Sequence, residues 1–280
     1  MRSNLNFVFF GTPDVASETL EILKQEGFLP TLIVTSMDKP QGRKMLVTPP
    51  PVKVWAEENK IPYIQPGEIT PSAFGTSPLS RGRLGRDAEF NLFIVIAYGK
   101  ILPEKIINMP KLGSLNIHYS LLPKYRGASP VESAILNGET ETGVTIQKMA
   151  YELDSGDIIA QEKVNIFADE KAPELRKRLV KIGGELLVKI LQTPGWVGVK
   201  QDGSKATYCK KIKKEDGLID LDGDAIKNYN KFRAYALWPR TFFFQNGRRI
   251  IITKARLEDN KFIIEKIIPE NGKEIDYRVM

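Results

Sequence analysis

Residues 90–97 read FNLFIVIA and are apolar at nearly every position. A strand with one face in water alternates polar and apolar residues, whereas a strand covered on both faces is a continuous apolar run. Strands of the second kind occur mainly in parallel sheets that have helices on both sides. The segment Phe90–Ala97 therefore predicts a central strand of an α/β sheet.

The residues before this segment alternate between strand and helix patterns. Leu5–Phe10 (LNFVFF) predicts a short strand, and Asp14–Gln25 spaces its apolar residues along one face of a helix. Thr31–Thr35 predicts a second strand, the polar, proline-rich residues 38–51 predict a loop, and Val52–Asn59 predicts a helix. This alternation is typical of an open, doubly wound, mostly parallel α/β sheet.

Four later segments complete this part of the chain, although residues 144–168 differ from the strand–helix alternation before them. Leu115–His118, Val144–Met149 and Ile158–Ile166 predict strands, and Ala172–Leu191 predicts an amphipathic helix. We therefore expect residues 1–191 to form the first and larger domain.

A second, smaller domain is expected after a linker. Residues 192–206 are rich in Gly, Pro, Lys and Gln, which is typical of a domain boundary. Within residues 207–280, Asp224–Tyr235 predicts a helix, and Asn246-Gly247 is a strong hairpin signal. The strand patterns of this part are Thr241–Gln245, Arg249–Lys254, Lys261–Ile268 and Ile275–Val279. They predict a small β barrel of the OB-like type.

The composition narrows the possible functions. The chain has one cysteine, Cys209, and one histidine, His118, so an internal disulfide and a Cys/His zinc site are both excluded. Any chemistry that needs an imidazole must use His118.

No stretch approaches the roughly 20 apolar residues of a membrane-spanning helix, and the N-terminus lacks the pattern of a secretion signal. We expect a cytoplasmic protein.

The excess positive charge lies in the last part of the chain. Residues 200–280 hold 18 Lys and Arg against 12 Asp and Glu, whereas the first 199 residues hold 23 against 22. A basic C-terminal module suggests a polyanionic partner such as nucleic acid. A solvated lysine-rich surface would give the same balance, and charge alone leaves both interpretations open.

Two nucleotide-binding motifs are missing from the sequence. The first predicted strand is followed by Phe10-Gly11-Thr12-Pro13 instead of G-x-G-x-x-G, and G-x-x-x-x-G-K-[ST] does not occur. The fold class therefore does not imply a dinucleotide, and the function must be inferred from other residues.

The segment from Asn116 to Gly127, NIHYSLLPKYRG, carries the clearest candidate site. Alternation along a strand places Asn116 and His118 on the same face, at the carboxyl edge where open α/β sheets bind ligands. An amide and an imidazole side by side can both donate hydrogen bonds to an oxygen that gains charge. The alternative is a structural histidine that is hydrogen-bonded to nearby backbone.

A second candidate is Asp154 in the segment LDSGD, residues 153–157. A carboxylate near His118 would orient the imidazole ring and favour its protonated form. Taken alone, however, D-x-G-D is an ordinary turn, and nothing in its composition connects it with His118.

Several motifs together resemble the folate-dependent formyltransferases. They are FFGTPDVA, DKPQGRK with PPPVK, IAYGKILP, NIHYSLLPKYRGASP, ETGVTIQKM with ELDSGD, and KKIKKEDGLID. The likeness covers most of the chain and is greatest to the members that formylate methionine carried on tRNA. The Asn–His–Asp pattern is specific to the superfamily, but it is shared with enzymes that formylate purine precursors or amino sugars.

The resemblance implies roles for individual residues. Asn116, His118 and Asp154 match the catalytic trio, which would stabilise an oxyanion while an amine attacks the formyl carbon of 10-formyltetrahydrofolate. The implied folate-binding residues are Ser120, Leu121, Leu122, Pro123, Ala97, Tyr98 and Gly99. The implied acceptor is the methionine on initiator tRNA, and neither a metal, a membrane nor an obligate protein partner is implied.

The resemblance also implies tRNA contacts at six basic residues, which are Arg43, Lys44, Lys210, Lys211, Lys213 and Lys214. Arg43 would meet the acceptor end of the tRNA, and the four later lysines occupy the region that links the two domains of the family. Without the resemblance, Arg43 is an exposed loop residue and the lysine run is a solvated surface.

Three other functions stay open. The same chemistry could serve an amino sugar or a nucleotide precursor, which the basic second domain disfavours. A catalytically silent tRNA-binding protein is disfavoured by the intact trio, and dinucleotide-dependent oxidation is disfavoured by the missing glycine motif.

The chain departs from the family pattern in two places. Residues 71–87, PSAFGTSPLSRGRLGRD, are expected to be irregular where relatives have more regular structure. The C-terminal module is expected to be short, with a trimmed barrel or a lower affinity for tRNA as the consequence.

Overall fold

The computed structural model describes residues 5–42, 45–67, 70, 90–193 and 195–278. Their contacts divide the chain into two compact units. The first unit comprises the residues up to His118, Val144–Glu162 and Val180–Ser204, and the second comprises Tyr119–Gly143, Lys163–Leu179 and the residues from Lys205 onward. The chain passes between the units several times, whereas the predicted domains 1–191 and 207–280 are continuous. Those boundaries stay a prediction.

A seven-stranded sheet dominates the first part of the chain. In spatial order its strands are β10 (Ile158–Asn165), β9 (Glu141–Lys148), β7 (Ser114–His118), β6 (Leu92–Ile96), β1 (Phe7–Gly11), β2 (Leu32–Val34) and β5 (Tyr63–Ile64). The pairs from β7 to β5 are all parallel, and β9 pairs antiparallel with β7. The predicted open, mostly parallel sheet is confirmed.

The strand β6 explains why residues 90–97 are so apolar. All five residues of β6 are buried, as are all five of β1 beside it. The central strands have no solvated face on which polar residues could be placed. The apolar run therefore predicted the position of β6 correctly, although the strand itself is shorter than the run.

Helices α1 (Asp14–Gln25) and α2 (Pro51–Glu58) pack together beside the sheet. Helix α1 has the predicted bounds, with an acidic residue in its first turn and a basic residue in its last, as the helix dipole favours. Helix α2 begins with a proline, which suits the first helical position. The indole nitrogen of Trp55 donates to a carboxylate oxygen of Glu21 at 3.0 Å and links the two helices.

The long helix α5 (Ala172–Gln192) follows β10, and a four-residue helix α3 (Glu104–Ile107) precedes β7. A Cβ added to Gly184 of α5 would lie 2.7 Å from Ile22, so glycine permits a close approach to α1. Among the described residues, no helix combines the length and apolarity needed to cross a bilayer.

Residues 38–51 contain a structure that the sequence did not predict. Strands β3 (Lys39–Gln41) and β4 (Leu46–Thr48) pair antiparallel, so the prediction of a loop throughout was wrong. Leu46 and Val47 are exposed, and the hairpin therefore lacks the alternating burial from which a strand is predicted. Arg43 and Lys44 between its strands, and residues 71–87, lie outside the described residues.

The second unit contains the C-terminal antiparallel sheet. Its strands are β12 (Phe242–Gln245), β13 (Arg248–Glu258), β14 (Lys261–Pro269) and β15 (Ile275–Asp276), in that spatial order. The turn Asn246-Gly247 joins β12 to β13, as predicted. Helix α6 (Ala225–Ala234) packs on this sheet and shares a buried core with it. The predicted smaller, barrel-like β module is confirmed.

Two further elements complete the second unit. Helix α4 (Pro130–Leu136) packs against α6, and the short strands β8 (Arg126–Gly127) and β11 (Tyr208–Cys209) pair in parallel. A Cβ at Gly127 would lie 2.2 Å from the carbonyl oxygen of Cys209, and its φ is +123°. Only glycine fits this pairing.

Candidate active site

Strand β7 positions the two residues that the sequence singled out. Asn116 is its third residue and His118 its last, so both side chains share one face of the sheet. His118 is buried, Asn116 is half-buried, and Ile117 between them points into the apolar core on the other face. The carboxyl ends of the parallel strands β1 and β6 lie at the same edge. The predicted placement of Asn116 and His118 is therefore what the structure shows.

Asp154 reaches this pair from the connection between β9 and β10. One carboxylate oxygen, Oδ2, lies 3.6 Å from Nδ1 of His118. This separation suits an ion pair with a protonated imidazole but is too long for a hydrogen bond. Asp154 has a φ of +49°, in the left-handed region that Asp tolerates better than most residues. The aspartate of the turn LDSGD is thus the carboxylate that lies beside His118.

Gly156 fixes the path of the Asp154 loop. A Cβ at this position would lie 1.7 Å from the carbonyl oxygen of Lys148, the last residue of β9. The amide of Lys148 donates to the carbonyl oxygen of Asp157 at 2.8 Å, so the loop closes back on the strand that it leaves. Only glycine permits this contact, which is the physical reason for the glycine in LDSGD.

Gln147 connects Asn116 with Asp154. Its side-chain nitrogen Nε2 donates to Oδ1 of Asn116 at 3.0 Å and to Oδ1 of Asp154 at 2.9 Å. Gln147 lies on β9 directly opposite Asn116 and is only 2% exposed. It was not among the predicted site residues, although a glutamine in the buried run Val144–Gln147 is a signal that could have drawn attention to it.

Asn116 is held on both sides of its amide. Its Nδ2 donates to the carbonyl oxygen of Val95 at 2.9 Å, and its Oδ1 accepts from Gln147. A carboxamide nitrogen has two hydrogens, so the second N–H of Asn116 can donate to a substrate oxygen. A fixed donor of this kind is what stabilisation of an oxyanion requires.

The side chain of Gln201 supports the same loop by donating to the loop's backbone. Its Nε2 donates to the carbonyl oxygens of Asp154 and Gly156, at 2.8 and 2.7 Å. Gln201 is buried, and 47 residues separate it from Asp154 in the sequence. It lies in the predicted linker, residues 192–206, and no role was predicted for it.

The residues expected to bind folate after β6 differ in exposure. Ala97 and Gly99 are exposed, whereas the ring of Tyr98 packs edge-on against Phe10 in the buried core. Burial raises the pKa of the Tyr98 hydroxyl to about 12. The backbone oxygen of Tyr98 accepts from the hydroxyl of Thr12 at 3.0 Å. The folate role of these three residues stays a prediction.

The other expected folate-binding residues follow β7. Ser120 is fully buried, and its hydroxyl donates to the carbonyl oxygen of Lys124 at 2.6 Å, which closes the loop. Leu122 is also buried, while Leu121 and Pro123 are partly exposed. This leaves Leu121 and Pro123 as the side chains of the loop that a ligand can reach most easily.

The four lysines expected to contact tRNA are all exposed in the second unit, and they are Lys210, Lys211, Lys213 and Lys214. In the described part of the chain no carboxylate lies within ion-pair distance of their amines. Their charges are therefore available to an anionic partner. Over the same described residues, no group of three or more potential metal ligands occurs.

Comparison with known proteins identifies the family. The Formyl transferase family profile matches residues 4–191, and that of the Formyl transferase C-terminal domain matches residues 211–276. A methionyl-tRNA formyltransferase of Caldicellulosiruptor saccharolyticus is 39% identical over 255 residues, which cover 90% of this chain and 80% of that protein. One from Thermotoga maritima is 44% identical over 238 residues, covering 84% and 74%.

Solved structures show the same fold. A methionyl-tRNA formyltransferase from Clostridium thermocellum matches with a TM-score of 0.61 and 19% identity, over 98% of this chain and all of that one. A sugar 3N-formyl transferase matches with a TM-score of 0.68 and 21% identity, over 95% and 93%. The profiles, the relatives and the fold agree, and the chain belongs to the formyl transferase family.

Proposed function

We propose that this protein transfers the formyl group of 10-formyltetrahydrofolate to the amino group of methionine on initiator tRNA. The observation that carries the proposal is the arrangement of Asn116, His118 and Asp154 around one face of β7, with His118 Nδ1 3.6 Å from Asp154. The product, N-formylmethionyl-tRNA, is used for translation initiation, so the proposed compartment is the cytoplasm.

The reaction begins when the unprotonated amine attacks the formyl carbon. A bond forms between the amine nitrogen and this carbon, and the carbonyl π electrons move onto the oxygen. Asn116 donates its second N–H to that oxygen, and His118 in its protonated form donates a second hydrogen bond. Fixed donors of this kind are worth about 100- to 1,000-fold in rate each.

Collapse of the tetrahedral intermediate completes the transfer. The bond between the formyl carbon and N10 of the folate breaks, the amine nitrogen loses a proton and N10 gains one. We assign the assistance of this proton movement to Asp154, because its carboxylate lies beside the imidazole of His118. Asp154 also holds the orientation of the imidazole ring.

The choice of acceptor rests on the relatives and on charge. The trio fits any amine acceptor, and the fold is shared with a sugar formyltransferase at low identity. The relatives that match at 39–44% identity over most of the chain are named for methionyl-tRNA. The exposed lysines from Lys210 to Lys214 give the second unit a surface that suits an RNA backbone. A tRNA-borne amine is therefore the better-supported acceptor.

The test is a direct assay of formyl transfer. The purified protein is incubated with 10-formyltetrahydrofolate and methionine-charged initiator tRNA, and formylmethionine is measured after hydrolysis of the ester. Uncharged tRNA, a nucleotide-linked amino sugar and the His118→Ala variant serve as controls. Formylation only of the charged tRNA, and only with His118 present, is expected. Transfer to the amino sugar but not to tRNA would overturn the proposed acceptor.

A further inference from the structure

A row of three residues crosses the sheet beneath the candidate site. Val95 on β6 lies opposite Asn116 on β7, and Asn116 lies opposite Gln147 on β9. Hydrogen bonds follow the row from Val95 to Asn116 and Gln147, and continue to Asp154. Two of the three residues proposed for catalysis are thus connected through one side chain, that of Gln147.

The direction of these hydrogen bonds is fixed by a backbone group. The carbonyl oxygen of Val95 can only accept, so Asn116 must turn its nitrogen towards Val95 and its oxygen towards Gln147. Gln147 must then present its nitrogen to Asn116, and the second hydrogen of the same nitrogen points to Asp154. Turning either amide over would place two acceptors against each other.

The connection leaves one polar atom of Gln147 buried without a hydrogen-bond partner among the described residues. Both hydrogens of its nitrogen are used, while its buried carbonyl oxygen Oε1 has no hydrogen-bond partner among the described residues. A buried acceptor without a partner is unfavourable, and an apolar side chain of similar shape would avoid this. Gln147 thus satisfies one acceptor on Asn116 and one on Asp154 while its own oxygen stays unpartnered.

We propose that Gln147 is a positioning residue for the formyl transfer. This inference rests on the proposed function of Asn116 and Asp154. Gln147 holds the amide of Asn116 so that its second N–H faces the developing oxyanion. It also occupies Oδ1 of Asp154, which leaves Oδ2 as the oxygen directed to His118. Gln147 itself touches neither substrate.

The first test replaces Gln147 by methionine, which keeps the length of the side chain and removes both donors. In Gln147→Met we expect kcat to fall about 10- to 100-fold, because a misplacement of roughly 1 Å in a catalytic group can cost about 100-fold. We expect KM for both substrates to stay within about twofold of the wild type. The unfolding temperature should change little, since removal of the unpartnered buried oxygen offsets the two hydrogen bonds that Asn116 and Asp154 lose.

The matched control is Gln161→Met on the neighbouring strand β10. The nitrogen of Gln161 donates to the hydroxyl of Thr145 at 2.8 Å, and the residue is exposed and outside the proposed trio. This variant undergoes the same chemical change and should keep the kcat of the wild type. A Gln147→Met variant with wild-type kcat, or one that loses activity only in proportion to a loss of folded protein, would overturn the proposal.

A second measurement does not depend on activity. Crystal structures of the wild type and of Gln147→Met should show that the side chain of Asn116 or of Asp154 has changed its position in the variant. If both side chains keep their positions, Gln147 does not position them and the inference fails. An inactive wild-type protein would contradict the proposed function instead, and this structural comparison would still decide the role of Gln147.

Discussion

Gly156 offers a sharp test of whether the position of Asp154 determines the rate. In Gly156→Ala, the added Cβ would begin 1.7 Å from the carbonyl oxygen of Lys148 and 2.8 Å from its carbon. Real Cβ atoms essentially never approach within 3.0 Å, so the loop must move away from β9 by about 1.3 Å. Asp154 lies only two residues earlier and must move with the loop.

The expected loss follows from this displacement. A shift of roughly 1 Å in a catalytic group can cost about 100-fold in rate, which corresponds to about 2.7 kcal/mol of transition-state stabilisation. Overpacking of this kind also lowers the free energy of unfolding by about 1–3 kcal/mol. We therefore expect kcat to fall about 100-fold in a protein that remains folded at the assay temperature.

The assay is single-turnover formyl transfer, measured below the unfolding temperature of the variant as determined by circular dichroism. Gly203→Ala is the control, because a Cβ added to Gly203 meets nothing within 4 Å. The control should be indistinguishable from the wild type. A folded Gly156→Ala protein with a rate within about threefold of the wild type would show that the reaction does not depend on where the loop holds Asp154.

Three further predictions concern the site and the acceptor. Asn116→Ala and His118→Ala each remove one donor to the oxyanion, so kcat should fall by about 100- to 1,000-fold. The far-ultraviolet circular dichroism spectrum should be unchanged. Near-normal rates in either variant would contradict the mechanism. Gln201→Leu removes both hydrogen bonds to the backbone of the Asp154 loop and should speed hydrogen exchange of its amides as well as lower kcat, and unchanged exchange would refute this role. The double variant Lys210→Ala/Lys211→Ala should bind tRNA more weakly. The slope of the logarithm of the binding constant against the logarithm of the salt concentration should become shallower by roughly 0.9 for each phosphate that is no longer neutralised. An unchanged slope in filter-binding titrations would show that these lysines do not contact the tRNA.

Most of the sheet could be predicted because burial imposes a period on the sequence. The strands β1, β6 and β7 and the helices α1, α2 and α5 were found from continuous apolar runs or from helical spacing. Helix α3 has four residues and α4 has seven, which is too short for a helical period to be recognised. The hairpin of β3 and β4 carries exposed apolar residues and therefore lacks a burial pattern.

The site could be predicted only in part. The two-residue period of a strand brought Asn116 and His118 together, since both lie on β7. The contact between His118 and Asp154 depends on the path of a loop after β9, and from the sequence it was implied only by a family resemblance. The contacts of Gln147 depend on the register of β9, and those of Gln201 depend on the course of the chain after α5. Neither the register nor this course can be read from residue spacing.

The row formed by Val95, Asn116 and Gln147 also limits the length changes that this chain can tolerate. Inserting or deleting one residue within β7 or β9 would break the row, because successive side chains of a strand point to opposite faces. Insertions and deletions that leave the site intact should therefore fall in the connections between these strands.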